Sequence, residues 1–184
     1  PQINGPGTII SWEISGELPE GLVFDNNTGE ISGIPTELWP TTNYTVWANN
    51  TGGSVEIEFN ITVVDQLPST FTYNPSDLLL TNNTVSPDLP LQPQLTGPGE
   101  IISWSINETL PNGLNFGNNN GTIWGTPTEL QLTPKPFNIT ATNSGGSIYA
   151  IINITILEVA PTLDYNPDDY NFTRGVQITD ITPT

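Results

Sequence analysis

IISWSINETLPNGLNFGNNNGTIWGTPT, residues 101–128, repeats a stretch already present at residues 9–36, IISWEISGELPEGLVFDNNTGEISGIPT. The two are 92 positions apart: Trp12 falls on Trp104, Pro19 on Pro111, Gly21 on Gly113, Phe24 on Phe116, Gly29 on Gly121, Gly33 on Gly125 and Pro35 on Pro127. Self-similarity at domain length predicts an array of like modules. Inside the repeat, Ile10, Trp12 and Ile14 alternate with Ser11 and Glu13, as do Ile102, Trp104 and Ile106 in the second copy, which predicts a strand with one buried face. Both Trp residues are expected in the core. Leu18-Pro19-Glu20-Gly21-Leu22 is a tight turn, with Pro presetting φ and Gly taking the positive-φ position. Asn26-Asn27-Thr28-Gly29 then reverses the chain between Leu22–Phe24 and Glu30–Ser32.

The rest of the chain keeps the same period of two. Tyr44, Val46 and Ala48, with Phe137, Ile139 and Ala141, are expected to point inward. Gly52-Gly53 and Gly145-Gly146 are hairpin turns. Val55, Ile57, Phe59, Ile61 and Val63 form one face of the clearest strand, matched by Ile148, Ala150, Ile152, Ile154 and Ile156. Tyr149 and Ile151 then lie outward. The fold class is all-β: two tandem β-sandwich modules, each long enough to bury its own core.

Composition narrows the function. Nineteen acids face only Lys135 and Arg174, for a formal net charge of −17. No basic patch exists to neutralise phosphate, so nucleic acid is excluded as a partner. An anionic membrane surface is disfavoured for the same reason. The chain has no Cys and no His, which removes disulfides, thiolate nucleophiles, zinc sites and His-based catalysis. No apolar run is long enough to span a membrane, so no membrane insertion is expected. The chain starts at Pro1, as a processed chain or a window from a longer one does. No pair of carboxylates falls in a motif, and the acids mostly differ between the two copies, so no enzyme is expected.

The ends do not match the modules. Residues 1–66 form the first module, which begins at the turn before the Trp strand and lacks its own opening strands. Residues 67–158 form a second, complete module. Residues 159–184 repeat the opening segment without a module behind it: Leu163 to Tyr165, Asn166-Pro167 and Tyr170 to Thr173 echo Thr70 to Tyr73, Asn74-Pro75 and Leu78 to Thr81. The missing piece and the spare piece are the same piece. One reading is that the first module is completed by a strand from a neighbouring copy, with Leu163, Tyr165, Tyr170, Phe172, Val176 and Ile178 as the groove-filling residues. Such a head-to-tail contact does not close and builds a filament from copies of the chain itself. The other reading is a slice of a longer covalent array.

N-x-T sequons occur at Asn26, Asn43, Asn49, Asn60, Asn82, Asn107, Asn120, Asn138, Asn153 and Asn171. Asn43, Asn60, Asn138, Asn153 and Asn171 fall on the outward parity of their strands, and Asn26 and Asn120 fall in the same hairpin turn of the two copies. The pattern predicts an extracellular, N-glycosylated protein. The competing reading is polar strand faces and Asx turns that precede Thr.

On Leu18-Pro19-Glu20-Gly21-Leu22-Val23-Phe24 and Thr28-Gly29-Glu30-Ile31-Ser32-Gly33-Ile34-Pro35-Thr36 the chain resembles the immunoglobulin-like, cadherin-like (He_PIG-type) repeats of prokaryotic surface proteins. The second copy carries the pattern as Leu110 to Phe116 and Gly121 to Thr128, with Asn120 in place of Thr28. The resemblance implies a β-sandwich in secreted, multi-module proteins and no particular activity. Some cadherin-like modules bind Ca²⁺ at their junctions. The candidate ligands here are Asp65, Glu158, Asp164 and Asp168, with Glu37, Asp77, Glu129 and Asp169 also available; the alternative is a set of solvated acids. N-linked glycans are the expected attachments, and no other cofactor is indicated. The leading function is a structural subunit of a glycosylated cell-surface filament, pilus-like in principle. The alternative is an adhesive or spacer module of a longer cell-adhesion protein, for which Trp39, Trp47 and Trp124 are the available aromatic contacts.

Overall fold

The computed structural model describes residues 7–163, 170–179 and 181–182. The regular elements in them are all strands. In the first copy of the repeat these are β1 (Ser11–Ile14), β2 (Leu22–Phe24), β3 (Ile31–Gly33), β4 (Trp39–Asn50) and β5 (Gly53–Val63). Then come β6 (Thr70–Thr72), β7 (Asp77–Thr81) and β8 (Gln94–Thr96). The second copy follows as β9 (Ser103–Ile106), β10 (Leu114–Phe116), β11 (Ile123–Gly125), β12 (Gln131–Asn143) and β13 (Gly146–Leu157). No described helix is long and apolar enough to cross a membrane.

The first copy builds a three-stranded sheet, β1-β4-β5, and a separate β2-β3 hairpin. The antiparallel register sets Trp12 opposite Ala48 and Tyr44 opposite Phe59. Trp12, Val46 and Ala48 are the buried centre, with Ile9, Ile14, Phe24 and Phe59 partly buried around them. The Tyr44 and Phe59 rings lie 6.2 Å apart, and the Tyr44 hydroxyl donates to the Glu17 carbonyl at 2.8 Å. Alternation fails at the start of the strand. Ile10 and Ile102, expected inward, are exposed, and Ile9 packs on the core instead. The regular pleat begins only at Ser11 and Ser103, and a period of two holds only inside a pleat.

The second copy builds a four-stranded sheet in the order β7-β13-β12-β9, with β10-β11 and β6-β8 as two-stranded sheets. Phe137, Ile139, Ala141, Ile152, Ile154 and Ile156 are fully buried. The Phe71 and Trp104 rings meet edge to face at 5.1 Å, and the Tyr73 hydroxyl donates to the Gly121 carbonyl. Burial pushes the Tyr73 hydroxyl far above the ordinary tyrosine pKa. Strand β7 runs parallel to β13, Leu78 opposite Ile154 and Leu80 opposite Ile156. Strand β8 pairs with β6.

By contact the chain divides into two compact units, Pro1–Phe71 with Leu95–Ser105 and Thr140–Tyr149, and Thr72–Gln94 with Ile106–Ile139 and Ala150–Thr184. Their boundaries differ from those of the sequence repeat. Within the first unit, residues 65–69 are bonded closely. Asp65 N donates to Ser144 Oγ at 2.9 Å, Asp65 Oδ2 accepts from Glu100 N at 3.0 Å, and Asn143 Nδ2 donates to the Gln66 carbonyl at 2.8 Å. A Cβ at Gly99 would stand 1.7 Å from that Gln66 carbonyl oxygen, and one at Gly145 would stand 2.0 Å from the Asp65 oxygen. Close backbone approach is what glycine permits there.

Candidate functional site

The two copies share a hairpin design and differ at one sheet edge. In both, the turn before the first hairpin strand closes by main-chain bonds, Leu22 N to the Pro19 carbonyl at 3.0 Å and Leu114 N to the Pro111 carbonyl at 3.1 Å. A glutamate 17 residues on caps each turn: Glu37 Oε1 accepts from Glu20 N at 3.1 Å, and Glu129 Oε2 accepts from Asn112 N at 3.0 Å. The Glu of each Pro-Thr-Glu-Leu therefore serves the turn.

The edges are where the copies part. Strand β13 carries β7 on one side and β12 on the other, whereas β5 ends its sheet, and among the described residues no strand pairs with its free edge. The consequence is read in burial. Ile152, Ile154 and Ile156 are 0 % exposed. Their counterparts Phe59, Ile61 and Val63, one residue further out of step because the second copy gains a residue near Lys135, are only half-buried. Val55 and Ile57, at the far end of the same face, are 65 % and 63 % exposed. An edge of this kind presents unpaired N–H and C=O groups beside apolar side chains, a ready template for another strand.

The groove-filling candidates are mostly exposed. Leu163 is 72 % and Phe172 58 % exposed, and Val176 and Ile178 are exposed as well. Tyr170 is half-buried, its ring stacked on that of Phe172 at 6.2 Å. Tyr165 lies outside the described residues.

The sequon residues are either exposed or half-buried. Asn26, Asn43, Asn60, Asn107, Asn120 and Asn171 are exposed; Asn49, Asn82, Asn138 and Asn153 are half-buried. Several of the side chains are bonded. Asn153 Nδ2 donates to Asp77 Oδ1 at 2.7 Å, Asn49 Nδ2 donates to Glu13 Oε1 at 3.0 Å, and Asn107 Oδ1 accepts from Asn138 N at 2.8 Å.

Of the candidate Ca²⁺ ligands, Asp65 has both carboxylate oxygens bonded to main-chain N–H groups, Oδ1 to Gln66 and Oδ2 to Glu100. Glu158 is exposed. Asp164, Asp168 and Asp169 lie outside the described residues. Among the described residues no group of three acids comes together around a common point. Of the aromatic candidates, Trp47 Nε1 donates to Glu56 Oε2 at 2.7 Å on the outer face of the first sheet, and Trp39 Nε1 is buried without a hydrogen-bond partner. Sequence reasoning placed Leu78 to Thr81 in the opening segment but did not assign it to β13 or give its direction. The signal available was Asp77 to Thr81, whose apolar residues are Leu78, Leu79 and Leu80, and it does not say which strand it joins or in which direction.

The He_PIG family, described as "Putative Ig domain", matches residues 1–64 and 68–157. The chain belongs to this family. It is 30% identical over 144 residues to the "Serine-rich adhesin for platelets" of Staphylococcus aureus, a match that spans 78% of this chain and 6% of the adhesin. The corresponding adhesin of strain MRSA252 matches at the same identity over 10% of its length. Among solved structures, Drosophila N-cadherin EC1-3 superposes with a TM-score of 0.53 at 17% identity, over 88% of this chain and 59% of that one. The fold is thus the immunoglobulin-like, cadherin-like one.

Proposed function

We propose that this chain is a structural subunit of an extracellular, glycosylated filament or surface fibre, polymerised head-to-tail by β-strand donation. The observation that carries the reading is the contrast between the two copies: the same apolar face is sealed at Ile152, Ile154 and Ile156 and half-open at Phe59, Ile61 and Val63. The chain also carries a second opening segment whose Leu163 and Phe172 are exposed. Adding that segment to the β5 edge of another copy would bury both sets. Each large apolar side chain taken fully from water is worth roughly 1.5–3 kcal/mol, less the cost of ordering the segment. The contact is heterologous, so it propagates into a fibre. An extracellular setting is supported by the six exposed sequon residues, Asn26, Asn43, Asn60, Asn107, Asn120 and Asn171, and by the adhesins among the relatives. The partner is another copy of the chain, and no catalytic role is assigned.

A second reading is favoured by one observation: the matched adhesins are far longer than this chain, which spans 6% of them. The β5 edge would then be covered by a preceding module of the same polypeptide, and the chain would act as an adhesive or spacer segment. Electron microscopy of the purified chain, with and without residues 161–184, separates the two. Strand donation predicts fibres from the full chain and monomers from the truncated one. Monomers from both would sink the filament reading and leave the spacer.

A further inference from the structure

Strand donation leaves open how the segment lies, and the chain contains its own template. In the second copy β7 pairs parallel with β13, Leu78 opposite Ile154, Leu79 opposite Thr155 and Leu80 opposite Ile156. Leu78 and Leu80 are buried to 1 % and 2 % exposure, while Leu79 points out. Moving 92 residues along carries Leu78, Leu79 and Leu80 onto Tyr170, Asn171 and Phe172. Moving 93 residues back carries Ile154, Thr155 and Ile156 onto Ile61, Thr62 and Val63. We propose, on the strand-donation reading above, that residues 170–173 of one copy add parallel to β5 of the next in a single register: Tyr170 opposite Ile61, Asn171 opposite Thr62 and Phe172 opposite Val63.

Three features of the segment carry this beyond the sequence match. First, the Tyr170 and Phe172 rings stack with an interplanar angle of 5°, so both already project from one face, as Leu78 and Leu80 do. Second, the turn that follows is already formed. In the second copy Thr84 N donates to the Thr81 carbonyl at 3.2 Å, with Asn83 at φ 55°. In the spare segment Val176 N donates to the Thr173 carbonyl at 3.2 Å, with Gly175 at φ 82°. The same left-handed position recurs 92 residues on, where glycine takes it without strain. Third, the facing side chains compensate in size: Phe172 is larger than Leu80, and Val63 is smaller than Ile156.

The template also locates the end of the inserted segment. Asn82 N donates to the Leu157 carbonyl at 2.8 Å and Asn83 N to the Pro127 carbonyl at 2.7 Å. The corresponding bonds run from Arg174 N to the Val64 carbonyl and from Gly175 N to the Pro35 carbonyl of the next copy. Val176 and Ile178 correspond to Thr84 and Ser86 and fall beyond this turn, outside the groove that Tyr170 and Phe172 fill. Asn171 takes the outward place of Leu79, so a glycan on its sequon is compatible with insertion.

The absence of Cys makes the register measurable. Paired residues on adjacent strands stand about 4.8 Å apart, within the roughly 4.4–6.8 Å that a disulfide bridges. The variant Thr62→Cys/Asn171→Cys is oxidised under fibre-forming conditions beside wild type and a control, Asn60→Cys/Asn171→Cys, slipped by two residues. A non-reducing denaturing gel is expected to show a ladder of whole multiples of the chain for the first variant and mostly single chains for the control. A ladder from the control instead, or no ladder from either while microscopy still shows fibres, overturns the parallel register and leaves strand donation standing. A link confined to single chains overturns insertion between copies. Wild type that forms no fibres overturns the donation reading itself.

Discussion

At the residue scale the turns of the repeat explain why the motif looks as it does. Gly21 and Gly113 sit at φ 87° and 89°. A Cβ on Gly113 would meet the Thr126 carbonyl oxygen at 2.0 Å, and one on Gly21 would meet that of Ile34 at the same distance. Positive φ and the close carbonyl both demand glycine, so Gly113→Ala is expected to cost at least about 1–3 kcal/mol, read as a drop in the urea midpoint. Both glycines were legible, because a Pro-x-Gly turn declares itself locally. The capping role of Glu37 and Glu129 was not, since their partners lie 17 residues upstream. The first hairpin turn also holds a titratable group. Asp25 accepts from Asn27 N at 2.7 Å and from Thr28 N at 3.3 Å. These bonds, the Asn27 main-chain one first, lower its pKa below 3.8. A depressed carboxylate stabilises the fold above its unfolded pKa and loses that stabilisation as pH falls through the folded value. Protection of the Asn27 and Thr28 amides, measured against their intrinsic exchange rates at each pH, should therefore fall only in acid below that ordinary value. The matching turn in the second copy, with Gly117 in place of Asp25, should lack this response.

At the element scale β5 and β13 are near copies with different fates. Truncating Ile154, fully buried, is expected to cost about 2–5 kcal/mol. Truncating Ile61, half-buried on the open edge, should cost the isolated chain clearly less and weaken fibre formation more. Chemical denaturation of monomers and sedimentation of fibres read the two effects separately; equal stability losses at both sites would count against an open edge. The alternation of Val55 through Val63 predicted the strand and its inward parity. It could not say that Val55 and Ile57 remain exposed, because parity says which way a side chain points and not whether anything lies there. The same limit hid where β7 docks. A short apolar run carries no mark of parallel or antiparallel pairing, and its partner is more than 70 residues away.

At the scale of the whole molecule the charge of −17 has almost no internal compensation. Lys135 pairs with Glu108 at 2.7 Å on a largely exposed surface, a contact of small energetic weight. The acids keep the surface solvated and single-signed, so copies repel, and under the filament reading the apolar edges must overcome that repulsion. Assembly by the β5 edge should accordingly become easier as salt rises. Under the filament reading the denatured chain from native fibres is expected to be a single short polypeptide carrying sugar, losing mass once N-glycans are removed. A chain many times heavier would instead mark these residues as a short section of one long polypeptide.

The sequence by itself determined the β class, the repeat, the two Trp anchors, the turn glycines and the acidic, cysteine-free surface. Each is read from residue type, from local spacing, or from comparing the sequence with itself. The tertiary structure decided what those signals cannot carry: that β7 seals one sheet in parallel, that the matching edge of β5 has no partner among the described residues, and that Glu37, Glu129 and Asp65 cap main-chain N–H groups. These are long-range pairings. Whether a face is buried or open depends on which distant segment reaches it, and that is settled only when the chain packs.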